Sequence, residues 1–145
     1  MKLYHIFNIS KIDEELILNQ LSAIPESCHK KILNYSSLIK RHQRINALQL
    51  LKQAFEEFGA DPAIFNLENI KYTEKGKPYI NGIFDFSIAY SENITVLAFA
   101  KASQIGTDIE KRQAIEIENY QDYFTAKEWE KICFSEDKAA QFYIL

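Results

Sequence analysis

The sequence contains little cysteine, glycine or proline, and it has no excess of positive charge. Its 145 residues include two cysteines, four glycines and three prolines. Cys28 and Cys133 stand far apart and outside any C-x-x-C pattern, which argues against a zinc site or a disulfide framework. The scarcity of glycine and proline argues against a linker-rich or collagen-like chain. A net charge of −3 argues against a general nucleic-acid-binding protein, which is normally basic.

Long apolar runs are also missing. No stretch approaches the roughly 18 apolar residues of a membrane helix. The N-terminal segment meets charges at Asp13, Glu14 and Glu15 before a signal-peptide core could form. The sequence also lacks a Gly-x-Ser-x-Gly nucleophile motif. We therefore expect a cytoplasmic protein with no membrane or nucleic-acid partner.

The spacing of apolar residues predicts helices first, then strands, then helices. Spacings of three and four are clearest over residues 40–58, where Gly59 is the expected helix stop. Further helices are predicted for 13–21, 25–35 and, from a capping box at Thr125 and Glu128, beyond 125. Strands are predicted for 3–9, 70–73, 84–90, 94–101 and 105–110. This order predicts an α+β fold with an antiparallel sheet.

Charge is distributed unevenly along the chain. Residues 27–55 carry no acidic side chain but include six basic ones: Lys30, Lys31, Lys40, Arg41, Arg44 and Lys52. From Ile105 onward acidic residues outnumber basic ones, nine to five. A solvated helix face would explain any one of these residues, but it explains the overall asymmetry less well.

The pentapeptide Gly106–Glu110 is the most informative segment for chemistry. In a strand, Asp108 and Glu110 would project from one face, because side chains alternate. Two carboxylates are what Mg²⁺ usually takes from a protein, with water and phosphate oxygens completing its shell. An exposed edge strand without a ligand is the alternative interpretation.

The segment 75–78, Lys-Gly-Lys-Pro, reads as a turn between two strands. The simplest interpretation is a plain hairpin connection. In the functional interpretation, Lys75 and Lys77 flank an anionic ligand that Gly76 allows close to the backbone.

Several motifs occur in an order that resembles a known family. They are Gly76-Lys77-Pro78, Phe86 to Ser91, Val96 to Phe99, Ile105 to Lys111, and Phe124-Thr125-x-x-Glu128. Together they resemble the 4′-phosphopantetheinyl transferases, and specifically the larger surfactin-synthetase-activating type. The resemblance covers roughly residues 25–145.

The resemblance implies a fold and a reaction. The fold would be a pseudodimer of two similar α/β halves, here residues 1–102 and an incomplete half 103–145, with coenzyme A in the cleft between them. The reaction would transfer 4′-phosphopantetheine from coenzyme A to a serine of an acyl or peptidyl carrier protein, releasing 3′,5′-ADP. Asp108 and Glu110 would hold Mg²⁺ and act as the catalytic carboxylates. The coenzyme-binding residues implied are Lys30, Lys31, Arg44, Lys75, Lys77, Pro78, Tyr90 and Ser91.

The chain departs from the family pattern in three places, one of which is Thr107 at a position that is usually aliphatic. Ala89-Tyr90-Ser91 stands where the family has an S-H-S triplet, so one hydroxyl and one imidazole are replaced. The chain ends before the family's W-x-x-K-E segment, which suggests a truncated protein with apolar surface around Phe142, Ile144 and Leu145 and a tendency to self-associate. Two alternatives stay open: a non-catalytic remnant that binds coenzyme A or a carrier protein, and an unrelated α+β interaction domain.

Overall fold

A computed structural model describes residues 1–8 and 11–144, which form two compact units, Met1–Ile109 and Glu110–Leu145. The first unit contains β1 (Lys2–Phe7), α1 (Glu14–Leu21), α2 (Glu26–Leu33), α3 (Leu38–Glu57), β2 (Lys71–Tyr72), β3 (Pro78–Tyr79), β4 (Phe84–Ser91) and β5 (Ile94–Lys101). The second contains α4 (Ala126–Phe134) and α5 (Lys138–Ile144). Two short 3-10 helices, Leu67–Asn69 and Ile117–Tyr123, complete the regular structure of the described residues.

The first unit is built on a three-stranded antiparallel sheet in the order β1-β5-β4. Tyr4 pairs with Leu97 on one side of β5, and Phe86 pairs with Phe99 on the other. The short strands β2 and β3 form a separate antiparallel hairpin. The fold therefore combines helices with small antiparallel sheets, as predicted for the α+β class.

Helix α3 begins and ends close to the predicted positions. Ser37 caps its first turn by accepting a hydrogen bond from the backbone N–H of Lys40 at 3.5 Å. Gly59 ends it with a φ of 61°, and the N–H of Ala60 donates to the Phe55 carbonyl at 2.9 Å. This pattern is a Schellman motif, which satisfies carbonyls that the helix leaves open. Gly59 is thus confirmed as the helix stop.

The core of this unit is an aromatic cluster between α3 and the sheet. Phe99 at the centre of β5 is fully buried, and its ring centroid lies 5.8 Å from that of Phe55 on α3 and 5.2 Å from that of Phe84 on β4. Such pairs stabilise a fold beyond the area that they bury. The cluster therefore fixes α3 against the sheet.

The first half of α3 is attached to the sheet by polar side chains. Gln43 is buried, and its Nε2 donates to the carbonyls of Ser91 and Glu92 at 3.2 and 3.3 Å. Asn46, also buried, donates to the side chain of Asn8 at 3.3 Å. These bonds satisfy amides that would otherwise destabilise the core, and they fix the position of the helix along the strands.

Side chains cap two other helices, and the predicted capping box of α4 is confirmed. Asp13 caps α1 through a hydrogen bond from the Leu16 N–H at 3.0 Å. Thr125 and Glu128 form the reciprocal capping box at the start of α4. The predicted first strand is present as β1, and Ile9 at its predicted end lies outside the described residues.

The strand predicted for residues 105–110 is wrong. No regular strand is found there, because the backbone donors of this segment bond to side chains instead of to a strand. The N–H of Ile105 donates to Asp85 Oδ2 at 2.8 Å, and that of Thr107 donates to Ser87 Oγ at 3.1 Å. The predicted alternation is nevertheless present, since residues 106, 108 and 110 are exposed and 105, 107 and 109 are half-buried.

Among the described residues of the second unit, the regular structure is helical, and residues 110–116 are irregular. Arg112 donates to both carboxylate oxygens of Asp137 at 2.7 and 2.6 Å, and the Phe142 ring lies 5.3 Å from that of Phe124. Ile144 is 76% exposed, while Leu145 lies outside the described residues. Among the described residues, no helix combines the length and the apolar character that crossing a membrane requires.

Candidate ligand-binding site

A cavity of about 540 Å³ opens in the first unit among α2, α3, the β2–β3 hairpin and β4. Its size is within the roughly 300–1,000 Å³ that is typical of small-molecule sites. Arg44, Ala47, Leu48 and Leu51 face it from α3. Their spacing of three and four residues is that of one helical stripe. The rotation of α3 about its own axis therefore determines which of its side chains reach the cavity.

The lining of the cavity combines apolar residues with cationic ones. The apolar residues around it are Ile32, Ala47, Leu48, Leu51, Leu67, Ile70, Pro78 and Ile88. The cationic residues are Lys31, Arg44, Lys75 and Lys77, with Glu68 as the carboxylate among the described lining residues. Such a cavity suits a ligand with an apolar or planar body and anionic groups.

Arg44 lies against two tyrosine rings. Its guanidinium carbon is 4.2 Å from the ring centroid of Tyr90 on β4 and 5.2 Å from that of Tyr35, which precedes α3. Both distances are within the range of cation–π attraction. Burial raises the pKa of Tyr90 to about 12, although the charge of Arg44 acts in the opposite direction. Tyr90 is therefore a neutral ring at physiological pH.

Lys31 on α2 lies over another tyrosine. Its Nζ is 2.9 Å from the ring centroid of Tyr72 on β2. Burial lowers the pKa of Lys31, and the positive charge of Arg44 lowers it further, while Tyr35 acts the other way. The effect of Arg44 on the pKa of Lys31 indicates two cations near enough to repel each other.

Lys77 is paired inside the protein. Its Nζ donates to both carboxylate oxygens of Asp85 at 3.0 Å and to the carbonyl of Ile105 at 3.3 Å. Burial alone would raise the pKa of Asp85, but the hydrogen bonds from Ile105 and Lys77 outweigh it and lower that pKa below its ordinary value. Part of the charge of Lys77 is thus neutralised before any ligand binds.

Six of the eight predicted coenzyme-binding residues line this cavity: Lys31, Arg44, Lys75, Lys77, Pro78 and Tyr90. Lys30 and Ser91 are not among the residues described around it. Lys30 is exposed on α2, and the backbone carbonyl of Ser91 accepts the bond from Gln43. The helix phase separates the two neighbouring lysines, since Lys31 lies about one turn after Cys28, which also lines the cavity.

Sequence reasoning missed three contributors to the site. Tyr35 and Tyr72 were not singled out, because aromatic residues carry no signal that separates a core position from a cavity wall. Asp85 was also missed, although it binds both Lys77 and the segment that leads to Asp108. Its partners lie 8 and 20 residues away along the chain, a separation at which no local pattern operates.

The two predicted metal ligands are both exposed. Asp108 is in the first unit and accepts a hydrogen bond from the N–H of Ile109 at 2.9 Å, and Glu110 begins the second unit. Within residues 1–8 and 11–144, no three histidine, cysteine or acidic side chains form a group that could hold a metal ion. Two exposed carboxylates still fit the ligand chemistry of Mg²⁺, which takes its other ligands from water and phosphate. The metal site stays a prediction.

Comparison with known proteins adds no family assignment. No family model matches the chain, and a search of the curated proteins gave no match. The family resemblance therefore stays a prediction, and the proposed function is based on the geometry of the cavity.

The Asp85–Lys77 pair should make stability depend on pH in the acidic range. Because the pKa of Asp85 is lowered by folding, its contribution is present above about pH 4 and is lost as the pH falls through the lowered value. We expect Asp85→Asn to reduce the free energy of unfolding by about 1–2 kcal/mol at pH 7, with a smaller difference below pH 3. Urea unfolding of the parent and of Asp85→Asn between pH 7 and pH 2.5 measures this difference in free energy. A difference that is constant down to pH 2.5 would contradict the assignment.

Proposed function

We propose that this chain transfers 4′-phosphopantetheine from coenzyme A to a serine of an acyl or peptidyl carrier protein. The supporting observation is that six of the eight residues that the family resemblance implies for the coenzyme line one cavity. They come from four separate elements: α2, α3, the β2–β3 hairpin and β4. The proposal explains why residues so distant in sequence share one site.

The chemistry of the cavity suits the nucleotide part of coenzyme A. The apolar stripe of Ala47, Leu48 and Leu51 provides a surface for a planar base. Lys31 and Arg44 carry charges that an anionic ligand would neutralise. Lys75 is exposed on the hairpin, whereas Lys77 is already held by Asp85. We therefore assign the strongest phosphate contacts to Lys31 and Arg44.

In the proposed reaction, the serine oxygen of the carrier forms a bond to the β-phosphorus of coenzyme A. The bond from that phosphorus to 3′,5′-ADP breaks, and the serine proton passes to a base or to water. Asp108 and Glu110 are the residues that would hold Mg²⁺. When bound, this ion neutralises pyrophosphate charge and polarises the attacked phosphorus. The two-half pseudodimer, with its boundary after residue 102, stays a prediction together with the carrier-protein partner.

A second candidate function is binding of coenzyme A or a carrier protein without transfer. The observation that favours it is the environment of the Ala89-Tyr90 pair. Ala89 is buried and supplies no hydroxyl, and Tyr90 is neutral where the family has an imidazole. Comparing binding with turnover separates the two functions.

Neighbouring lysines of α2 allow a matched test of coenzyme binding. We expect Lys31→Ala to weaken coenzyme A binding about tenfold, because a hydrogen bond to a charged group contributes roughly 1.5–3 kcal/mol. Lys30→Ala removes the same charge from an exposed position outside the cavity, so its affinity should stay within about twofold of the parent. Isothermal titration calorimetry measures both. Equal losses in the two variants would indicate nonspecific attraction and would contradict the assigned site.

Transfer itself is tested by mass spectrometry of a carrier protein incubated with the chain, coenzyme A and Mg²⁺. We expect the mass of phosphopantetheine to be added, and Asp108→Ala to reduce the rate at least about 100-fold. Asp122→Ala, which removes an exposed carboxylate elsewhere, should leave the rate unchanged. Tight coenzyme binding without any mass addition would support the second candidate function. Unchanged transfer by Asp108→Ala would refute the metal assignment.

A further inference from the structure

Two arginines of α3 have different surroundings. Arg41 is engaged within the protein: its Nε donates to the Tyr35 carbonyl at 2.7 Å, and its other nitrogens donate to the Leu33 carbonyl and to Glu14 at 3.2 Å. Arg44, one turn later, has no ion pair with a carboxylate among the described residues. It faces the cavity and contacts the rings of Tyr90 and Tyr35. Arg41 is therefore structural, while Arg44 keeps donors for a ligand.

The contact between Arg44 and Tyr90 leaves part of the guanidinium available for a ligand. The guanidinium lies over the face of the Tyr90 ring, 4.2 Å from its centroid. Arginine has five N–H donors, and the hydrogen bond between the side chains of Tyr90 and Arg44 uses only part of that set. A planar fork held in this way matches two oxygens of one phosphate group.

The position of Arg44 relative to Tyr90 is fixed by their sequence neighbours. Gln43 precedes Arg44 and donates to the carbonyl of Ser91, the residue after Tyr90, at 3.2 Å. A second bond from Gln43 reaches the Glu92 carbonyl at 3.3 Å. Because Gln43 is buried, these bonds are shielded from water and fix α3 to the end of β4. The ring and the guanidinium therefore meet in a defined register.

The charge at this end of the cavity favours a dianion. Lys31 and Arg44 line the same cavity, and the charge of Arg44 lowers the pKa of Lys31, although less than burial does. A phosphate monoester carries close to two negative charges near neutral pH and three acceptor oxygens. One such group would neutralise both cations. In a pyrophosphate linkage, by contrast, the two negative charges lie on two different phosphates.

From these observations we propose that Tyr90 is a positioning residue, whose ring holds Arg44 to recognise the phosphate monoester of the coenzyme. Tyr90 acts by holding Arg44 and not by contacting the phosphate itself. This inference rests on the proposed function, since coenzyme A supplies the monoester. It also explains how a tyrosine can occupy the position at which the resembled family has an imidazole.

The test compares coenzyme A with dephospho-coenzyme A, which differs only by lacking the monoester. By calorimetry, we expect the parent chain to bind coenzyme A at least tenfold more tightly than the dephospho form. Tyr90→Leu removes the ring and should lose about five- to tenfold in affinity for coenzyme A, with little change for the dephospho form. Tyr90→Phe keeps the ring but lacks the hydroxyl that bonds to Arg44, so it should retain most of the affinity and most of the discrimination between the ligands.

Two further variants complete the design. Tyr123→Leu changes a tyrosine that is 84% exposed and should leave both affinities unchanged. Arg44→Lys keeps the charge but lacks the planar fork, so it should lose most of the discrimination between the ligands. Arg44→Lys also serves if Tyr90→Leu does not fold, as judged by circular dichroism.

Each other outcome overturns a specific part of the proposal. Equal binding of the two ligands by the parent would refute monoester recognition and leave the transferase proposal intact. A loss in Tyr90→Phe as large as that in Tyr90→Leu would show that the hydroxyl, and not the ring, carries the effect, and would refute positioning by the ring. Equal losses for both ligands in Tyr90→Leu, or full discrimination by Arg44→Lys, would refute positioning of Arg44. If the parent binds neither ligand, both this inference and the proposed function fail.

Discussion

The packing of helix α3 on the central strand β5 is the constraint on which the rest of the first unit depends. Phe55 from the helix and Phe99 from the strand meet at the centre of the aromatic core, and both are buried. The helix is attached a second time at its first half, where Gln43 binds the carbonyls at the turn between β4 and β5. An apolar and a polar attachment together leave little freedom for the helix to rotate or slide.

This constraint gives α3 two functional faces. One face, with Ile45, Ala54 and Phe55, is buried in the core, and the adjacent stripe from Arg44 to Leu51 lines the cavity. A rigid helix is a more accurate support for binding side chains than a loop is. The cavity is consequently a product of the same packing that stabilises the unit, and its cations occupy positions set by the core.

The sequence predicted the elements whose signal is local. Strand β5 occupies the predicted residues, and α3 ends at the predicted glycine, because apolar periodicity and capping act over a few neighbouring residues. The segment after β5 was predicted wrongly because Asp85 and Ser87 take its backbone donors, a competition that periodicity cannot reveal.

The sequence predicted the cationic residues of the candidate site but not the residues that contact them. The basic residues of α2 and α3, which lie in a stretch of sequence without acidic residues, 27–55, indicate an anion-binding surface. Which of Lys30 and Lys31 faces the cavity depends on the phase of a helix of eight residues, which composition does not determine. Tyr35, Tyr72 and the pairing of Lys77 with Asp85 arise from contacts between separate elements. Tertiary structure alone assembles them.

The most direct test of the account is a crystal structure of the chain grown with coenzyme A and Mg²⁺. The account predicts electron density for the nucleotide in the cavity of the first unit, with the base against Leu48 and Leu51 and the monoester within hydrogen-bond distance of Lys31 and Arg44. Coenzyme density at another surface, with this cavity occupied only by solvent, would contradict the central claim.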